Sequence, residues 1–191
     1  MRPVSIHTKH SSVPFWADHR RWTRTRLPPA LRAWLLDSGS LTERLIRSCS
    51  GEFRVRVVGE GWQRPRLDEA RVLGMPLHLR ARIRQVQLLC DGVPWVFART
   101  VIPVSTLGGE RLRLLRLGDR PLGAYLFADP RMSRGPVELA RIRPRQAMYA
   151  EAMADYGDGR DEIWGRRSVF RLAGRPLLVT EVFLPAIGAP S

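Results

Sequence analysis

Apolar and polar positions alternate along Phe53 to Val58 (FRVRVV), which predicts a strand with one face open to solvent. The period of two returns over Arg80 to Cys90 (RARIRQVQLLC), breaks at Asp91-Gly92, and resumes over Val93 to Ile102 (VPWVFARTVI). Asp-Gly suits the positive backbone angles of a type I′ turn, so these two runs form a β-hairpin. A second hairpin is expected over Ser168 to Leu184 (SVFRLAGRPLLVTEVFL). Gly92, Pro94 and Pro103 of the first hairpin match Gly174, Pro176 and Pro185 of the second. An old duplication, or two hairpins converging within one antiparallel sheet, would each produce that match.

Helical signals lie outside these runs. Pro28 and Pro29 open a short helix over Ala30 to Asp37, with proline placed where its missing N–H does no harm, and Gly39 stops it. Ser40-Leu41-Thr42-Glu43 has the spacing of a capping box, which predicts a helix from Leu41 to Ser48. Pro121 to Phe127 (PLGAYLF) and the alanine- and methionine-rich Gln146 to Asp155 read as two more helices, and the polar run Gly157 to Asp161 follows as a break. Residues 1–26 read as an irregular arm anchored by Trp16 and Trp22. Strands with helices set apart from them predict a single α+β domain, its mainly antiparallel sheet covered by helices on one face.

Length and composition narrow the class. A chain of 191 residues suits one core, with 44% apolar and 26% charged residues as in ordinary soluble proteins. The stretch Pro176 to Pro190 carries Glu181 and is too short to cross a bilayer, and the first twenty residues lack the apolar run of a signal peptide. A cytoplasmic location is expected. Cys49 and Cys90 belong to no CxxC pattern and are expected to be reduced. His7, His10, His19 and His78 have no metal-ligand spacing, so no metal is expected. The net charge of +14 is almost wholly arginine, since Lys9 is the only lysine. The arginines form no block and accompany no DNA- or RNA-binding motif, so no dedicated nucleic-acid partner is expected.

Two charged residues stand in apolar strands. Glu181 lies in LLVTEVFLP with Val179 and Phe183 on its own face. A carboxylate taken from water either finds a cation or becomes protonated. An edge-strand glutamate reaching solvent, or an ordinary ion pair to an arginine, is the commoner explanation of such a residue, and a functional role the rarer one. Arg84 shares a face with Val86 and Leu88, in a stripe with Arg80 and Arg82 that could simply be solvated. Inside a pocket, its guanidinium would hold a planar carboxylate by two parallel hydrogen bonds. Neither residue by itself specifies a reaction.

Five strings carry a resemblance: WLLDSGSLTER (34–44), LLCDGVPWVFARTVIPVSTL (88–107), LGDRPLGAYLF (117–127), WGRRS (164–168) and GRPLLVTEVFLPA (174–186). Together, and in this order, they resemble the chorismate pyruvate-lyase family over residues 31 to 187. The resemblance implies a six-stranded antiparallel sheet with helices enclosing a buried ligand pocket, over residues 27–191. It also implies cofactor-free elimination of pyruvate from chorismate to give 4-hydroxybenzoate for the ubiquinone ring, by a monomer.

The family's ligand contacts fall on Arg84, Glu181, Leu122 and Leu41, the last being methionine in the family pattern. Arg84 is expected to hold the ring carboxylate. Glu181, with a raised pKa, would act as general acid or orienter near the ring hydroxyl and the departing ether. Arg166 and Arg167 of WGRRS are secondary candidates for the pyruvyl carboxylate. Residues 143–161 read as a surface insertion relative to compact family members. The alternative is a non-catalytic aromatic-acid sensor, because ligand-binding domains of some bacterial transcription regulators share this general fold.

Overall fold

The computed structural model describes residues 13–157 and 161–188; the first twelve residues of the expected arm and residues 158–160 of the polar break lie outside them. Eight strands form one sheet: β1 (Ala17–Asp18), β2 (Phe53–Gln63), β3 (Ala81–Cys90), β4 (Val93–Pro103), β5 (Met132–Arg134), β6 (Glu138–Ile142), β7 (Ile163–Leu172) and β8 (Arg175–Phe183). The order is β1-β6-β7-β8-β4-β3-β2, with β5 also on β7, and every pairing is antiparallel. The implied six strands are thus extended by two short ones, β1 and β5, which add edge pairings to β6 and β7. Both hairpins form as read. Asp91 and Gly92 have φ of 48° and 78°, and Ala173 and Gly174 repeat the pattern, as type I′ turns require.

Five helices cover the sheet: α1 (Pro29–Leu35), α2 (Leu41–Ser48), α3 (Leu67–Leu73), α4 (Leu122–Ala128) and α5 (Ala147–Ala152). The Ser40 side chain accepts the Glu43 N–H at the start of α2, as the capping spacing predicts. Helix α3 was missed, although Asp68 and Glu69 in its first turn and Gly74 at its end are ordinary boundary signals.

The helices lie on both faces, not one. On the first face, α1 and α2 bring Trp34, Leu35, Leu41 and Leu45 against Val86, Leu88 and Phe183. On the same face α4 packs Leu122 and Leu126 against Val179 and Phe170. On the opposite face, the Leu73 end of α3 packs against Ile83, Val101 and Leu178. Helix α5 there buries Met148, Tyr149 and Ala152 beside Phe97 and Val182. The 143–161 segment therefore supplies part of the core where a surface insertion had been expected. Trp16 is buried in the same cluster, and Trp22 meets Trp164 edge to face with ring centroids 5.0 Å apart.

A charged layer sits between α3, α5 and the sheet. Arg99 donates to both oxygens of Glu69, at 2.7 and 3.2 Å, and Glu69 is only 1% exposed. Arg66 and Gln85 each donate to Glu151 of α5 at 2.6 Å. Burial alone would raise the Glu69 carboxyl, but the hydrogen bond and charge of Arg99, with the charge and backbone N–H of Arg66, outweigh it and hold the group below its ordinary value.

The cysteine expectation is corrected. Cys49, which ends α2, is bonded to Cys90, which ends β3. Folding brings their Cα atoms to 5.7 Å, within disulfide reach, although 41 positions separate them in sequence.

Candidate active site

Strand alternation decides which residues meet. Arg84 lies opposite Thr100, Thr100 opposite Val179, and Val179 opposite Ser168. The next row on the same face runs Val86, Ala98, Glu181, Arg166. Arg84 and Glu181 are thus two strands and one row apart, about 12 Å between Cα atoms from ordinary strand spacings. Their side chains face one cavity, with the sheet as its floor. Gly39 and Leu41 at the start of α2, and Pro121, Leu122, Gly123 and Leu126 of α4, form its roof. Val55, Val86, Leu88 and Phe170 make the floor largely apolar. All four principal residues of the sequence reading, Arg84, Glu181, Leu122 and Leu41, line this one hollow.

Arg84 is 2% exposed, and its Nη2 donates to the carbonyls of Gly118 and Arg120 at 2.7 and 3.1 Å. These bonds hold the guanidinium under the loop that leads into α4. Its Nε is buried without a partner among the described residues. Burial lowers its pKa, and the charges of Glu60 and Asp119 offset part of that effect. Such a cation is desolvated and short of hydrogen bonds, which suits it to a planar carboxylate.

Glu181 finds its cation in Arg166, whose Nε donates to Oε2 at 2.5 Å. The same guanidinium donates through Nη1 to the carbonyls of Trp34 and Asp37, at 2.8 and 2.6 Å. Arg166 therefore fixes both the catalytic candidate and the loop joining α1 to α2. Among the described residues, Glu181 Oε1 has no hydrogen-bond partner.

The neighbouring Arg167 points to the other face, because successive strand residues alternate. There it donates to Glu138 and Asp68, each at 2.7 Å, and lies over Trp16. It does not line the cavity, which corrects its place among the candidates.

One cavity residue escaped the sequence reading. Arg134 reaches in from β5, across the Phe170 ring, and donates through Nε to Ser168 Oγ at 3.1 Å. Its three-residue strand has no periodicity to show its direction, and the following Gly135-Pro136 reads only as a turn.

The roof has a tight seam. A Cβ on Gly123 of α4 would stand 2.9 Å from Thr42 Oγ1 of α2. Glycine is what lets the two helices approach this closely.

Comparison with known proteins gives the family and the fold. The sequence model of the family described as chorismate lyase matches residues 17–189. A protein of Aromatoleum aromaticum named as a probable chorismate pyruvate-lyase is 46% identical over 170 residues, covering 88% of this chain and 91% of its own. One of the same name from Azoarcus sp. strain BH72 is 48% identical over 161 residues, covering 82% and 85%. Among solved structures, the effector domain of PhnF from Mycobacterium smegmatis aligns with a TM-score of 0.54 at 19% identity, over 79% of this chain and 91% of that one. A GntR-family transcriptional regulator from Bacillus cereus aligns at 0.53 and 16%, over 71% and 94%. These two likenesses concern the fold alone. On the sequence matches, the chain belongs to the chorismate lyase family.

Proposed function

We propose that this chain is a chorismate pyruvate-lyase, converting chorismate to 4-hydroxybenzoate and pyruvate. The observation that carries the reading is the placing of Arg84 and Glu181 on one sheet face, at opposite ends of a single roofed cavity with apolar walls. Arg84 holds the ring carboxylate by a paired hydrogen bond. Glu181, its Oε2 fixed by Arg166, offers Oε1 to the ring hydroxyl and orients C4 and the neighbouring C3 ether. The C4–H bond gives up its proton, the C3–O bond breaks with its electron pair on the departing oxygen, and the ring becomes aromatic; the released enolpyruvate takes up one proton at its methylene carbon to become pyruvate, so no net proton is gained or lost. Aromatisation drives the reaction without a cofactor. Leu122 and Leu41 exclude water from the reacting face.

In this reading the chain acts as a monomer. No helix among the described residues is long and apolar enough to cross a membrane. Cytoplasmic supply of the ubiquinone ring is the role that fits the family.

The test is direct. Purified, chelator-treated protein is mixed with chorismate, and 4-hydroxybenzoate and pyruvate are followed together. Equimolar appearance of both is expected. Tight binding of 4-hydroxybenzoate without any turnover of chorismate would replace the lyase with an aromatic-acid sensor.

A further inference from the structure

We infer that Arg134 is the receptor for the substrate's second carboxylate, the one on the departing three-carbon arm, and so distinguishes substrate from aromatic product. This rests on the lyase reading and adds to it a subsite for the leaving group.

Among the described residues lining the cavity, three are guanidinium groups, Arg84, Arg134 and Arg166, against the single carboxylate of Glu181. Asp37 is close to two of them, but it is not among the lining residues and is bonded to Arg44 at 2.9 Å. The lining therefore carries two positive charges in excess. Unpaired charge away from water is costly, and a dianionic ligand removes that cost. Chorismate is such a dianion. A hydroxybenzoate is not, and would leave one guanidinium unmatched.

Arg166 is already committed to Glu181 and to two carbonyls. Arg134 makes no ion pair among the described residues, and its Nε and Nη1 donate to Ser168 Oγ and to the carbonyls of Ser38 and Asp37. Burial and the positive charge of Arg166 both depress its pKa, and the charges of Glu181 and Asp37 offset only part of that effect.

Ser168, which holds Arg134, lies in the same row as Arg84 but three strands away, about 14 Å between Cα atoms. The Glu181–Arg166 row runs alongside. A ring whose carboxylate sits on Arg84 and whose hydroxyl meets Glu181 therefore sends its C3 arm toward Arg134.

Arg134→Gln and Arg134→Lys are compared with the wild type by three measurements: KM for chorismate, Kd for 4-hydroxybenzoate, and inhibition by pyruvate. The glutamine variant should raise KM by about 30-fold or more and lose pyruvate inhibition, while binding 4-hydroxybenzoate within twofold of normal. The lysine variant, which keeps the charge, should recover much of that loss and gives the same comparison if glutamine prevents folding. A parallel loss of chorismate and 4-hydroxybenzoate affinity would show that Arg134 only pins the α1–α2 loop, and would overturn the proposal. Unchanged KM in both variants would also overturn it. Absence of turnover by the wild type would instead remove the lyase reading, so the two failures are distinguishable.

Discussion

At the scale of the residue, the site depends on which side of a strand a side chain leaves. Glu181 and Arg84 each fall on the cavity face because residues two apart share a side, and that much is legible in LLVTEVFLP and RIRQVQL. The same rule separates Arg166 from Arg167, yet WGRRS does not say which of the pair faces inward. The answer depends on the partners, Glu181 on one face and Glu138 with Asp68 on the other. Glu181→Gln keeps the shape but replaces the charged partner of Arg166. It should lower kcat by about 100-fold or more, the scale of a lost orienting contact at the reacting centre, with 4-hydroxybenzoate affinity falling much less. Arg84→Ala should show the opposite weighting, weakening 4-hydroxybenzoate by roughly 10- to 100-fold, the scale of a lost charged hydrogen bond. Steady-state kinetics and calorimetry on both variants separate the two roles. Normal turnover by the glutamine variant would leave Glu181 without its assigned part.

At the scale of the element, the two hairpins and α2 follow from local rules, because turn and cap chemistry is written in adjacent residues. The charged layer under α3 does not, since Glu69 and Arg99 are thirty positions apart and only the fold unites them. That layer makes stability depend on acid. The folded Glu69 carboxyl lies below its ordinary value, so its contribution is complete above roughly pH 4.3 and is lost as pH falls through the folded value. Glu69→Gln leaves Arg99 buried without its counter-charge, and should cost about 3 kcal/mol near neutrality. Urea midpoints from pH 7 to 3 should fall less steeply for this variant than for the wild type. An identical acid slope would show that other carboxylates set it.

At the scale of the whole molecule, the Cys49–Cys90 bridge ties the end of α2 to the sheet that floors the cavity. Spacing alone could not reveal it, because the two thiols are brought together by α2 packing over the β2–β3 edge. Closing a loop of this length restricts the unfolded chain by about 4 kcal/mol at most. Reductant, or Cys49→Ser, should therefore lower Tm by several degrees, with the hairpin and the cavity retained. Thermal scans with and without reductant check this, and an unchanged Tm would mean that the bridge adds nothing. The other end of α2 has no such tether. There the roof meets α4 at Gly123, against Thr42, with no side chain on the α4 side to bolt the joint. A ring lying below is covered by two short helices that touch at this glycine, so a side chain added there would force one of them to shift.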